Sequence, residues 1–314
     1  MSKLKITKRQ CNLIELICSM TEESLKKSLE NALNHYYDKE NLIISDKYIC
    51  AKGDIPVGLV AHLDTVHKFP AYEMYHDPFK KVMWSPYGIG ADDRAGVFSI
   101  LEILRAGYRP SVIFCCQEEV GGIGASYLAF DYEKPFADMK YLIELDRQGK
   151  DDSVYYKCDN KDFEEMINSF GFKTAYGSFS DISIIAPQWR ISAVNLSIGY
   201  YDEHSIEETW HYEETFETIE KVCKILEFAM TDDKEYEYIS GRNNIWDMIA
   251  YGDLTNICEC CGEEVAPQLT ISIVDTEGIL YLCPDCAAKY ASFCDKCNEP
   301  YISLDRHICG GRTV

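Results

Sequence analysis

The 314-residue sequence predicts an α/β fold: a mostly parallel mixed sheet flanked by helices, followed by a small cysteine-rich domain. Three observations predict it. Short runs such as Val57–Ala61, Ser111–Cys116 and Ile191–Ile198 are apolar or small throughout rather than alternating, as in strands buried on both faces. Segments with helical spacing of apolar residues stand between these runs, and that alternation reads as parallel βαβ units. The 15 cysteines are uneven: seven are scattered between 1 and 223, and eight crowd into 258–309.

The elements follow in order. Residues 6–35 read as one or two helices, and 41–52 as a hairpin turning at Ser45-Asp46-Lys47. Val57–Ala61 is a buried strand, Arg94–Arg105 a helix, Ser111–Cys116 a strand and Ile123–Phe130 a helix. Tyr141–Leu145 is a strand, Phe163–Phe170 a helix, Ile191–Ile198 a strand and Glu213–Met230 a closing amphipathic helix. Residues 231–256 are polar and acidic and read as a linker, with a short helix at Asn244–Tyr251. The expected organisation is therefore a core domain over 1–230, a linker over 231–256 and a cysteine-rich domain over 257–314.

With 46% hydrophobic residues the chain can fill a core. The net charge of −21 disfavours nucleic acid and anionic membranes as partners. No run approaches a membrane span, and the basic start MSKLKITKRQ leads into no clear cleavage site, so no signal peptide is expected. Scattered cysteines without a signal fit reduced thiols and a cytoplasmic protein.

Five short segments at predicted strand ends carry metal-binding side chains. VAHLDTVH holds His62, with Asp64 two residues on and suited to orient the imidazole through its other nitrogen. GADDRAG holds Asp92 and Asp93, CCQEEVGG holds Glu118 and Glu119, YLIELD ends on Asp146, and GYYDEHS holds His204. Ligand sites in open α/β sheets lie beyond the carboxyl ends of the strands, so the five segments are expected to converge. Two histidines and several carboxylates suit zinc, with manganese or cobalt as alternatives. A cation pair bridged by one carboxylate would make the adjacent aspartates tolerable. His35, His67, His76 and His211 read as structural, with His67 in reserve because it lies near His62.

The order HLDT, DDR, EEVG, a strand-ending Asp and a late His resembles the co-catalytic zinc peptidase superfamily of aminopeptidases, tripeptidases, carboxypeptidases and aminoacylases. The resemblance covers roughly 55–230, and ADDRAG and QEEVG look most like the glutamyl/deblocking aminopeptidases. It implies that His62 and Asp146 hold one metal, Glu119 and His204 the other, and Asp92 bridges both. It further implies that Glu118 is the general base acting on a metal-bridged water and that Asp64 orients His62, leaving Asp93 as a neighbouring cap. The expected activity is hydrolysis of peptide bonds by an aminopeptidase. The alternatives are an N-acyl amino acid deacylase or carboxypeptidase of the same superfamily, or a catalytically silent protein-binding module. Many relatives carry an inserted lid domain. The 57 residues between Asp146 and His204 are needed for further strands and helices, so none is expected here. Ser180, Asp181 and Arg190 are candidates to stand near the cleft.

The tail carries Cys258-x-x-Cys261 and Cys283-x-x-Cys286, a pair resembling a zinc ribbon with a closed structural site. Cys294, Cys297, His307 and Cys309 are the ligands expected for a second zinc, and Cys260 leaves the choice at the first pair open. Zinc would supply folding energy that so small a core lacks. Lys289, Lys296, Arg306 and Arg312 are outnumbered by acids, so a protein partner suits the tail better than nucleic acid.

Overall fold

The computed structural model describes residues 6–132, 134–136 and 138–241, and beyond them short strand segments between 256 and 313 with Cys286 and Lys289. The chain divides into two units, Met1–Gly241 and Arg242–Val314.

The first unit opens with α1 (Lys8–Cys18) and α2 (Glu22–Leu33), capped by Thr7 and Thr21. Next come β1 (Leu42–Ile44), β2 (Tyr48–Ala51), β3 (Ile55–His62), β4 (Tyr75–Asp77) and β5 (Val82–Trp84). Then follow α3 (Ala91–Arg105), β6 (Pro110–Cys115), α4 (Ile123–Asp131), β7 (Tyr141–Arg147) and β8 (Asp152–Val154). The unit continues through α5 (Lys161–Asn168), β9 (Lys173–Ala175), α6 (Asp181–Trp189), β10 (Ser192–Ser197), β11 (Tyr200–Tyr201), β12 (Thr209–His211) and α7 (Tyr212–Ala229).

Eight strands form one sheet in the order β1-β2-β6-β3-β7-β10-β8-β9. The central strands β6, β3, β7 and β10 run parallel, and the outer pairs β1–β2, β2–β6 and β10–β8 are antiparallel. The apolar runs are these central strands: β6 is buried along its whole length, and in β3 only Pro56 is partly exposed. Parallel strands place their carboxyl ends on one edge, so the segments following His62, Cys115 and Asp146 emerge together. Helix α3 packs close against β7: a Cβ on Gly96 would stand 2.4 Å from the Leu145 carbonyl oxygen. Gly96 thus lets the start of α3 reach the end of β7.

A second sheet, β11-β12-β5-β4, was not anticipated. Its strands are two or three residues long, too short for a period to emerge. His204 lies in the loop between β11 and β12. The unit also runs past the expected end at 230. Tyr236 is buried in an aromatic cluster with Tyr141 and Phe163, and its carbonyl accepts from Ser192 N at 2.8 Å. Glu237 O accepts from the Asn160 and Ser192 side chains, and Ile239 and Gly241 bond the backbone of Asp159 and Lys157, anchors that the acidic composition of this stretch conceals.

Four antiparallel strand pairs are described in the second unit. They are β13 (Asn256–Ile257) with β14 (Glu264–Val265), and β15 (Ile271–Val274) with β16 (Ile279–Leu282). The others are β17 (Ala291–Phe293) with β18 (Pro300–Ile302), and β19 (Ile308–Cys309) with β20 (Arg312–Thr313). Cys286 is half-buried, and Cys309 ends β19. The helix expected at 244–251, and Cys258, Cys260, Cys261, Cys283, Cys294, Cys297 and His307, lie outside the described residues.

Candidate metal centre

Five donor side chains, with Glu118 next to one of them in the chain, meet at the carboxyl edge of the main sheet. His62 is the last residue of β3, and Asp146 lies near the end of β7. Asp92 sits at the start of α3 in a non-helical conformation, after Gly90 in the left-handed region; the Asp92–Asp93 peptide is cis. Glu118 and Glu119 follow β6 in a turn closed by Gly121 N and Gly122 N donating to Glu118 O. His204 comes from the β11–β12 loop.

These groups form two donor sets that share one residue. His62 Nε2 lies 3.0 Å from Asp92 Oδ1 and 3.5 Å from Asp146 Oδ1. His204 Nε2 lies 3.2 Å from Asp92 Oδ2 and 3.0 Å from Glu119 Oε2. Each set, His62–Asp92–Asp146 and Asp92–Glu119–His204, offers one ligand atom per residue within 4.8 Å of the others. Asp92 therefore turns one oxygen to each set. The sets fit divalent cations by their chemistry and by one orphan: Glu119 Oε1 is buried and meets no hydrogen-bond partner among the described residues.

Titration behaviour reflects the same crowding. Burial, reinforced by neighbouring carboxylates, pushes Glu118 and Asp146 up to about 7, and Glu119 likewise to about 7. Asp92 moves the other way: the imidazoles of His204 and His62 overcome its burial and hold it well below the usual carboxylate range. His204 is raised to about 9, first by its hydrogen bond to Asp92, and the carboxylates around His62 hold it well above an ordinary imidazole despite burial. In the metal-free chain, protonated imidazoles supply the positive charge that cations would supply.

Backbone bonds fix the donors. Asp64 accepts from Glu118 N at 2.9 Å and from Glu119 N at 3.0 Å, and its Oδ1 lies 3.4 Å from His62 Nδ1. It thus braces the glutamate turn as well as standing behind the imidazole. Asp93 accepts from His62 N at 3.2 Å and from Gly96 N at 2.9 Å, the capping role expected of it. Asn195 of β10 clamps the Asp146 backbone from both sides, and Tyr200 OH donates to Asp146 Oδ1 at 3.2 Å.

One buried residue escaped the sequence reading. Glu208 accepts from Gly90 N at 2.7 Å and Asp92 N at 2.9 Å, and it meets His67 Nε2 at 3.0 Å. His67 is thereby engaged away from the donor sets. The available sign was position, because Glu208 lies on the same short loop as His204. His76 meets Tyr212 OH at 3.0 Å, His211 meets Thr209 and His35 a backbone carbonyl, all outside the centre. Asp181 begins α6, fully buried beside the Cys115 thiol, and burial pushes it up to about 7. Ser180 donates to the buried Glu144. Arg190 is exposed at the far end of α6, ten residues after Ser180, or about 15 Å at 1.5 Å per residue. It precedes β10, at the opposite end of that strand from the edge where the donors gather, so this candidate does not stand near the cleft.

Residues 48–187 match the model of Peptidase family M28. Among solved structures the chain is similar to a tripeptidase from Staphylococcus aureus subsp. aureus Mu50, at 14% identity and a TM-score of 0.56 over 73% of this chain and 100% of that one. It is also similar to the aminopeptidase PepT of Bacillus cereus ATCC 10987, at 15% identity and a TM-score of 0.53 over 71% and 98%. A TET aminopeptidase from the marine sediment archaeon Thaumarchaeota archaeon SCGC AB-539-E09 gives 12% identity and a TM-score of 0.55 over 78% and 100%. At these identities the likeness is one of fold. Comparison with the curated proteins finds no match.

Proposed function

From the premise that residues 48–187 are a Peptidase family M28 domain, of the co-catalytic zinc peptidase superfamily, we propose that the chain is a di-metal aminopeptidase. The observation that carries this reading is Asp92, whose two oxygens each face a separate histidine-and-carboxylate set. His62, Asp146 and Asp92 would hold one cation, and Glu119, His204 and Asp92 the other, with zinc the metal best suited to the donors. Two such cations supply an activated water at neutral pH and polarise the scissile carbonyl.

The chain's own groups do the rest. Glu118 is not a member of either donor set, and its backbone N–H is pinned by Asp64. This supports a carboxylate beside the centre that would accept a proton from the attacking water and return it to the leaving amine. Asp64 holds both glutamates and His62 in register. The carboxypeptidase and deacylase readings, which need a cation for the substrate carboxylate, are separated from this one by the peptide test below.

Among the described residues, no helix is long and apolar enough to cross a membrane. Cys11, Cys18, Cys50, Cys115, Cys116, Cys158 and Cys223 are free thiols, which fits a cytoplasmic site of action. In the tail, Cys258 and Cys261 fall between paired strands β13 and β14, and Cys294 and Cys297 between β17 and β18. We read these segments as zinc-bearing, with a protein as the tail's partner because its acids outnumber its bases. The peptidase reading is tested on a pool of free and N-acetylated peptides with zinc, manganese or cobalt, followed by mass spectrometry. Stepwise loss of N-terminal residues from free peptides, absent in Glu118→Gln, is the expected result. Acetyl release or trimming from the other end would replace the aminopeptidase assignment.

A further inference from the structure

A cavity of about 170 Å3 lies beside the metal centre, walled by Cys18, Thr21 and Glu22 at the α1–α2 junction, by Asp64 and Thr65 after β3, and by Arg94 of α3. Arg94 is only 4% exposed. Its Nη2 donates to Met20 O at 3.3 Å, while Nε and Nη1 are buried and meet no acceptor among the described residues. The carboxylates on the same wall are already engaged by backbone N–H groups. Asp64 accepts from Glu118 and Glu119, and Glu22 accepts from Gln117 N at 2.9 Å. His67, also on the wall, is engaged by Glu208. The exposed Lys68 adds a second positive charge. Buried donors are almost always satisfied, and an unpaired buried guanidinium is costly to keep. Asp64, Glu22 and Asp93 lend Arg94 their negative charge from a distance, but none of them accepts from Nε or Nη1, so the cavity has room for an acceptor that does.

We propose that this cavity is a binding site for a small oxyanion, a carboxylate or a phosphate, with Arg94 as its anchor and Lys68 as its second cationic contact. Guanidinium pairs well with either group. Part of the wall, Cys18 to Glu22, precedes the residues that match the peptidase family, so the site is built by the chain's own N-terminal helices. Asp64 belongs to both the cavity and the brace beneath Glu118 and Glu119. An anion in the cavity is therefore coupled to the metal centre, and metal and anion alter each other's affinity by the same factor. The binding itself does not depend on the peptidase reading.

Calorimetric titration of the full chain with inorganic phosphate, and separately with acetate, tests the site at fixed ionic strength before and after metal chelation. Saturable one-to-one binding of either anion is expected, persisting after chelation and weakened at least tenfold in Arg94→Met and in Lys68→Glu. Saturation by phosphate alone assigns a phosphate ligand, and saturation by acetate alone a carboxylate. Binding of neither anion overturns the proposal, as does binding that disappears with the metal. Lys68→Glu lies on the surface and leaves the fold intact, so unchanged affinity in that variant overturns it even if Arg94→Met does not fold.

Discussion

Replacing Glu208 by glutamine separates positioning from ligation, because this carboxylate touches no metal donor atom yet holds the backbone of Asp92. Glu208 accepts two N–H bonds at 2.7 and 2.9 Å with 1% of its surface exposed. Hydrogen bonds to a charged acceptor contribute about 1.5–3 kcal/mol each. Glutamine keeps one oxygen but turns an amide donor towards the other N–H, leaving one bond neutral and one buried donor unmet. The loss is then roughly 2–4 kcal/mol. At about 2–4 °C per kcal/mol for a unit of this size, the melting temperature should fall by roughly 4–16 °C. With Asp92 loosened, zinc affinity should drop about 10–100-fold, the usual effect of losing an outer support. Thermal unfolding and chelator competition measure both quantities, with the exposed neighbour Glu207→Gln as the control, expected within about 0.5 kcal/mol of the parent. Parental stability and zinc affinity in Glu208→Gln would refute the claim that this carboxylate positions the bridging ligand.

Four further outcomes are expected. Glu118→Gln should lower kcat by about 10²–10⁴-fold while retaining bound metal, read by steady-state kinetics alongside metal analysis; unchanged turnover removes Glu118 as the base. Zinc affinity should fall as pH drops below 7, because Glu119 and Asp146 rise to about 7 in the metal-free chain and protons then compete with the cation; a flat profile between pH 6 and 8 contradicts this. Stability of the metal-free protein should fall as pH rises. Glu118, Glu119, Asp146 and Asp181 have folded values of about 7 against 3.8–4.5 unfolded, so the folded state binds extra protons between those limits; His204, raised to about 9, extends the decline. Melting curves from pH 5 to 9 with and without zinc check the sign. A chain ending at Gly241 should unfold cooperatively, whereas one ending at 230 should lose about 3–5 kcal/mol with the buried Tyr236; equal denaturant midpoints would return 231–241 to the status of a linker.

Much of the candidate metal centre was legible because the sheet does the assembling. His62 and Asp146 lie at or near the ends of runs recognisable as buried strands, and Glu118 and Glu119 stand just beyond a third. Once those strands are parallel, their ends share an edge, and the ligand candidates need only be read from the last residues. Glu208 was not legible for the complementary reason. It acts on backbone N–H groups 116 and 118 residues away, and any residue can supply an N–H, so the partners leave no trace in composition. The small sheet was hidden by the brevity of its strands. Arg190 was misplaced because closeness in sequence to Ser180 and Asp181 says nothing about which end of α6 meets the site.

The adjacent aspartates show how one stretch of chain meets two opposed demands. Both are buried, and two ionised carboxylates so close would repel strongly in a dry site. The structure avoids this by giving them different surroundings. Asp93 faces the backbone N–H groups of His62 and Gly96, and burial together with Asp146 and Asp92 drives its titration well upward. Asp92 faces two imidazoles and is driven downward. One residue of the pair is thus a strut tying α3 to β3 through backbone N–H groups, and the other is the anion available to bridge. Divergent titration of neighbouring acids is the pattern by which a site divides roles between them. Here the division is set by direction: Asp93 points into the sheet, where N–H groups await it, and Asp92 points out, where the histidines do.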